Sequence, residues 1–252
     1  MRNGPIFAAA LAFFAAAAAP AQELGTIRFD NWVYFQENTD HTSQWQYRPR
    51  FYIPVNLPRG WLFTQRIDLP FLDTDKQGPD NTTGGWKSGL GDWFIEEGIT
   101  TPEVATNTKI YGAVRFVFPT GGKAPFSASQ YQWAPTLSVI HRIPDHGITL
   151  SPLLRYFMGF SATEPNVTLV RRLDIFPQVA FAFPDDWSLV LYAGENPISY
   201  NDVNHKWFVP IDAMVIKRLN KTVELGLGAA YGIVKDNPSY DYQVYGRLTF
   251  YF

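Results

Sequence analysis

The sequence predicts an all-β fold, an antiparallel transmembrane β-barrel of the outer-membrane type with about 12 strands. Three features of the 252-residue chain favour this class. Segments of alternating apolar and polar residues recur, turn residues separate them, and the connections between them are alternately short and long. No sustained helical period follows residue 21, so the remaining chain is expected to consist of strands.

The first 21 residues have the pattern of a cleaved signal peptide. Arg2 precedes an apolar run, Ile6–Ala19, and Ala19–Ala21 has the A-x-A form that a signal peptidase accepts. The run is shorter than the roughly 20 residues that a spanning helix needs. Cleavage after Ala21 is therefore predicted, followed by a single barrel domain at residues 22–252.

The composition limits the classes of partner and cofactor that we expect. The formal net charge is -2 and no basic face accumulates, so no nucleic-acid partner is expected. The chain has no cysteine, and its 4 histidines lack zinc spacing, so neither a metal nor another cofactor is predicted. Aromatic residues make up 16% of the chain, which suits lipid-facing girdles. A soluble β-sandwich outside the cytoplasm is the alternative fold.

Twelve segments are predicted as strands. They lie at residues 26–36, 45–55, 61–71, 89–100, 108–119, 131–143, 147–160, 168–183, 187–196, 206–218, 222–234 and 240–252. Connections after even-numbered segments are mostly tight, as at Pro184–Asp186, whereas several after odd-numbered segments are long, as at Leu72–Ser88. Outer-membrane barrels have this asymmetry of short periplasmic turns and longer outer loops.

Seven prolines inside the predicted strands argue against a closed sheet, because a barrel has no edge on which to place a residue without an N–H. They are Pro49, Pro54, Pro70, Pro135, Pro152, Pro177 and Pro210. If the barrel closes, some of these prolines must lie at bulges or where strands leave the membrane.

The last predicted strand alternates clearly. Phe252, Phe250 and Leu248 share an apolar face, and Thr249 and Arg247 lie on the polar one. A terminal aromatic at the end of an outward apolar row resembles the sorting signal that outer-membrane assembly machinery reads. Phe252 is therefore predicted as an assembly signal, with the barrel assembly machinery and outer-membrane lipid as partners.

Charged residues on the polar faces are predicted to line the lumen. The full set is Arg28, Asp30, Arg48, Arg50, Arg66, Asp68, Asp92, Glu96, Arg115, Arg155, Arg172, Asp174, Asp212, Glu224 and Arg247. Three pairs in this set form Arg-x-Asp triplets, whose charged residues point the same way from a strand. The charges either pair and fill the interior or form the wall of a solute path. Arg247 is expected near Arg28 and Asp30, because the last strand closes against the first.

The predicted strand number implies a narrow or plugged lumen, because about 8 strands enclose only side chains and about 16 enclose an aqueous channel. A channel or transporter for a small-molecule solute is favoured, and no enzymatic activity is expected. The alternatives are a structural or receptor barrel and a membrane-embedded lipid hydrolase using His41 and Ser43. The oligomeric state is left open.

Six short motifs resemble, in order, a bacterial outer-membrane family of transporters of the meta pathway of phenol degradation. The motifs lie at Gly89–Trp93, Phe118–Gly122, Gln132–Pro135, Phe183–Leu189, Asn196–Ile198 and Lys206–Pro210. The resemblance covers most of the chain after about Gly89. It implies an outer-membrane barrel and, more loosely, passage of small or aromatic compounds.

Overall fold

The computed structural model describes residues 26–193, 195–237 and 239–252, so the predicted signal peptide lies outside the described residues. The described chain forms one antiparallel sheet of 17 strand segments. They are β1 Arg28–Asn38, β2 Ser43–Asn56, β3 Leu62–Asp68, β4 Phe71–Thr74, β5 Lys87–Leu90, β6 Trp93–Thr100, β7 Thr108–Phe118, β8 Gln130–Ile143, β9 Ile148–Leu150, β10 Leu153–Ala162, β11 Arg171–Phe176, β12 Val179–Phe183, β13 Trp187–Leu191, β14 Ile198–Asn201, β15 Lys206–Arg218, β16 Val223–Lys235 and β17 Tyr240–Tyr251.

The sheet closes because β1 pairs with both β2 and β17. Five strands of the barrel are interrupted, and each consists of two consecutive segments: β3 with β4, β5 with β6, β9 with β10, β11 with β12, and β13 with β14. The 17 segments therefore make 12 strands, and the predicted fold class is confirmed. Each predicted strand coincides with one of these, although the ninth continues to Asn201, beyond its predicted end.

The barrel wall alternates between an apolar outer face and a buried inner face. On β17, Thr249 is fully buried whereas Val244 is 47% exposed. On β16, Leu227 and Ile233 are exposed, while Ala230 is buried. This alternation places large apolar side chains toward lipid and polar ones toward the lumen. Within the described residues, no helix has both the length and the apolar composition needed to span a bilayer.

Most of the in-strand prolines lie where the ladder is already broken. Pro70, Pro152 and Pro177 fall between two segments of an interrupted strand. Pro210 follows the register shift between β15 and β16. Pro135 lies where the β8–β10 pairing skips from Trp133 to Thr136. A closed sheet can therefore hold these prolines, because each position lacks a regular pairing partner on one side.

Glycines on the inner face make room for large side chains from neighbouring strands. A Cβ added to Gly228 on β16 would lie 2.4 Å from the Tyr245 ring, and one added to Gly98 would lie equally close to the Tyr111 ring. A side chain at either position would force the tyrosine ring to move. The glycines therefore leave space for these tyrosines, whose hydroxyl groups donate to Asp212 and Glu96.

The two ends of the barrel differ. Short turns at one end include the 3-10 turns Pro58–Gly60 and Pro144–His146. At the other end, the long connections 75–86 and 119–129 contact each other, since the Lys123 N–H donates to Asp80 Oδ2 at 2.7 Å. We call these ends the short-turn end and the long-loop end.

Candidate functional site

The three Arg-x-Asp triplets each form an ion pair along their own strand. The nitrogen–oxygen distances are 3.2 Å for Arg28–Asp30, 2.6 Å for Arg66–Asp68 and 2.8 Å for Arg172–Asp174. A neighbouring strand supplies a second donor to each aspartate: Thr249 to Asp30, Arg50 to Asp68 and Ser199 to Asp174. All three aspartates are buried. The triplets thus link charge both along and across strands.

Five arginines and three carboxylates lie close together on the inner face of the barrel, and we call them the arginine cluster. Its members are Arg48, Arg50, Arg66, Arg115 and Arg155 with Asp68, Glu96 and Glu195. Each carboxylate bridges two arginines. Glu96 Oε2, for example, lies 2.7 Å from Arg115 Nη2 and 2.8 Å from Arg155 Nη2. The ion pairs form two groups, one around Asp68 and Glu195 and one around Glu96. The two groups meet at the Phe94 ring, which Arg48, Arg66 and Arg115 surround.

Glu195 is the member of the cluster that the sequence did not predict. It lies between β13 and β14, where the strand is interrupted, and its side chain is 5% exposed. Its carboxylate lies 2.9 Å from Arg48 Nη1 and 2.7 Å from Arg50 Nη2, and it accepts a hydrogen bond from the Tyr34 hydroxyl at 3.0 Å. The sequence feature that could have pointed to Glu195 is the Asn196–Pro197 pair that follows it, a turn dipeptide inside an alternating stretch.

Asp212 belongs to the predicted lumen set but has a different environment. It is 1% exposed and accepts hydrogen bonds from neutral donors. The Tyr245 hydroxyl lies 2.7 Å away, Asn196 Nδ2 lies 2.9 Å away and the Ala193 N–H lies 3.0 Å away. Asp212 therefore anchors the chain on both sides of Glu195 to β15. The hydrogen-bond donors to this carboxylate are therefore neutral groups, unlike those of the arginine cluster.

The structure shows the partners of two further predicted residues, Arg247 and Asp92. Arg247 lies opposite Trp32 in the β1–β17 register, but its ion-pair partner is Glu224 on β16. The Asp92 carboxylate accepts the backbone N–H groups of Gly121 and Ala128. Asp92 thus fixes the long connection above the lumen, although it still borders the space below.

The lumen contains two chambers in series. The chamber toward the long-loop end has a volume of about 340 Å³, and the one toward the short-turn end has a volume of about 390 Å³. Four residues line both chambers: Arg66, Arg155, Phe176 and Glu195. This ring marks the boundary between the chambers. Most of the predicted lumen residues line one of them, but Asp68, Asp212 and Glu224 do not.

The residues named for the alternative of a lipid hydrolase, His41 and Ser43, are not arranged for catalysis. The Ser43 hydroxyl donates to Glu37 Oε2 at 2.7 Å, so its proton is directed to a carboxylate and not to an imidazole. His41 is exposed at a turn, with φ of 62°. A serine nucleophile needs a base within hydrogen-bond reach of its own hydroxyl, and here that neighbour is Glu37.

Neither a protein-family model nor a curated protein matches the chain. Solved structures do match at the level of fold. An outer-membrane channel from Pseudomonas putida F1 covers 92% of this chain and 97% of its own, with a TM-score of 0.74 and 10% identity. The match to the NanC porin covers 90% of this chain and 99% of the porin, with a TM-score of 0.55 and 10% identity. The match to the KdgM porin covers 89% of this chain and 99% of the porin, with a TM-score of 0.51 and 10% identity. The chain therefore has the outer-membrane barrel fold that these channels share.

Proposed function

We propose that the protein is a narrow channel of the bacterial outer membrane that admits small solutes. The observation that carries this proposal is the pair of chambers in series, of about 340 and 390 Å³, joined at a ring of four shared residues. The outward apolar face suits a position in the membrane. The likeness of fold to outer-membrane channels and porins also supports it.

The lining supports a polar solute of limited size. Both chambers are lined by arginines and carboxylates together with phenylalanine and glutamine side chains. Rings of charged side chains set selectivity in pores, because they replace part of the hydration of a passing ion. The ring between the chambers contains two arginines and Glu195, so it is both the narrow point and a charged filter.

Conductance in planar lipid bilayers tests the proposal. Purified full-length barrel should produce discrete current steps, and Glu195→Gln should change their size or ion selectivity because it alters the ring. The matched control is Glu97→Gln, an exposed carboxylate on β6 outside the lumen lining. Folded barrel that gives no steps in repeated insertions would contradict the channel proposal and favour a structural or receptor barrel.

We further propose that the chain belongs with the transporters of the meta pathway of phenol degradation and prefers aromatic solutes. The six ordered motifs support this finer assignment. Benzoate and cyclohexanecarboxylate have the same charge and similar size, so they isolate aromaticity. Benzoate should reduce the single-channel current at a lower concentration. Equal reduction by the two acids would count against an aromatic preference.

Assembly in the outer membrane is proposed to depend on Phe252. Its side chain is 50% exposed at the end of the outward apolar row of β17, and its N–H donates to Ile27 O at 3.0 Å. Deleting Phe252 should lower the assembled fraction far more than Phe250→Leu does, measured as heat-modifiable protein in outer-membrane fractions. Equal assembly of the deletion variant and the wild type would rule out the sorting role.

A further inference from the structure

The arginine cluster carries more positive than negative charge. Its five arginines share three carboxylates, so two formal positive charges have no counterpart within the cluster. Four of the five arginines are less than 10% exposed. Buried charges are costly unless they are paired, so an anion taken up from solution would stabilise this arrangement.

The imbalance reaches the surface of the long-loop chamber. Five cluster members line that chamber, namely the four arginines Arg48, Arg66, Arg115 and Arg155 and the carboxylate Glu195, whereas Asp68 and Glu96 do not. Arg115 Nη2 is buried and makes no aligned hydrogen bond, although it lies 2.7 Å from Glu96 Oε2. Arg48 Nε likewise has no acceptor among the described residues. The chamber is thus lined by guanidinium groups whose hydrogen-bonding capacity is only partly used.

An apolar surface lies beside these donors. The guanidinium carbon of Arg115 is 4.3 Å from the centre of the Phe94 ring, and those of Arg66 and Arg48 are 5.3 and 5.7 Å from it. Three cations around one ring define a site with a charged rim and an apolar base. Phe157 and Phe176 also line the chamber. This lining matches an anion that has an apolar body.

Glu195 shows how the site holds a carboxylate. Its two oxygens are bound by Arg48, Arg50 and the Tyr34 hydroxyl, at distances of 2.7 to 3.0 Å. Arginine binds carboxylates well because its planar N–H groups match the two oxygens. A solute carboxylate entering the chamber would therefore meet the same donors and compete with Glu195 for them.

We propose that the long-loop chamber is a binding site for small organic carboxylates, with Arg48 and Arg115 as its main contacts and Glu195 as an internal competitor. The inference rests on the proposed function, since it names the solute class of that channel. A volume of about 340 Å³ is at the lower end for ligand pockets and suits a small molecule.

Calorimetric titration of the purified barrel in detergent tests the site directly. Sodium butyrate should bind, while butyramide, its neutral equivalent in shape, should not. Arg48→Gln and Arg115→Gln should each weaken butyrate binding by about tenfold or more, because a charge-assisted contact is lost. Both variants leave Glu195 and Glu96 with a second arginine, so the barrel should still fold.

Two controls separate the site from general charge effects. Arg28→Gln removes an arginine that lines only the other chamber, and it should leave butyrate binding nearly unchanged. Glu195→Gln removes the internal competitor and should tighten binding by several-fold. The proposal would be overturned if butyramide bound as tightly as butyrate, or if sodium phosphate occupied the site as strongly as butyrate does. It would also be overturned if Arg115→Gln and Arg28→Gln bound butyrate equally.

The proposed carboxylate site and the proposed channel can be refuted independently of each other. A barrel that conducts ions but binds no butyrate, either as wild type or as Glu195→Gln, would refute the carboxylate site and leave the channel proposal standing. A barrel that binds butyrate but shows no conductance would refute the channel and retain the site.

Discussion

Buried carboxylates are stabilised in different ways on two sides of the lumen. On one side, β2, β3, β6, β7 and β10 carry the arginine cluster, in which each carboxylate is held by two guanidinium groups. On the other, β1, β15 and β17 carry a core of Trp32, Tyr34, Met214 and Tyr245. Beside that core, the Asp212 carboxylate is held by neutral donors.

The chain around Glu195 connects the two sides. Glu195 extends to Arg48 and Arg50, while Asn196 and the Ala193 backbone bind Asp212. An interrupted strand therefore supplies both a charged contact and a neutral one within a few residues. The interruption is therefore a structural device, since it carries a side chain that lines both chambers.

Removing a carboxylate from the charged side should give the largest loss of stability. Asp68→Ala leaves the buried Arg66 without its partner, and breaking a buried ion pair in this way costs about 3 to 5 kcal/mol. Chemical unfolding in detergent micelles measures the change. Glu164→Ala breaks the exposed pair with Lys123 and should cost less than about 1 kcal/mol. Equal losses would mean that water reaches Asp68 freely.

Removing a carboxylate from the side with neutral donors should cause a smaller loss of stability. Asp212→Ala removes the acceptor of three hydrogen bonds but leaves no unpaired cation, so we expect a loss of about 1 to 3 kcal/mol. The same unfolding measurement applies. A loss larger than that of Asp68→Ala would reverse the order of the two sides and show that the neutral network is the stronger one.

The smallest expected effect is the coupling free energy between Arg247 and Glu224, which a double-mutant cycle measures. Arg247→Ala and Glu224→Ala should be coupled by at least about 0.5 kcal/mol, because the two side chains form an ion pair. The cycle of Arg247→Ala with Asp30→Ala should be closer to additive, since Asp30 is bound by Arg28 and Thr249. Stronger coupling to Asp30 would mean that the ion pair with Glu224 does not form in solution.

Period-two patterns made the barrel wall predictable. Each strand has one face toward lipid and one toward the lumen, so alternation alone locates the strands and assigns their inner faces. The Arg-x-Asp triplets were informative for the same reason. Residues two apart on a strand are adjacent on one face, as the contact between Arg66 and Asp68 shows.

The choice of partners between strands was not predictable in the same way. Pairing depends on register and on side-chain reach, so Arg247 forms its ion pair with Glu224 on β16, while on β1 it lies over the Trp32 ring. Glu195 was missed because it lies where the strand pattern stops. An interruption removes the alternation by which inner-face residues are recognised, and here the interruption itself enters the lumen.

The pairing of β1 with β17 also sets the order of events when the barrel forms. Arg28 is paired with Tyr251, so the seam joins the two ends of the described chain. Contacts this distant in sequence form slowly, because a long loop must close before they contribute. Until β17 pairs with β1, the edge of β1 remains open to other strands. Because the seam joins distant parts of the described chain, the sheet exposes a strand edge for as long as its closure is delayed.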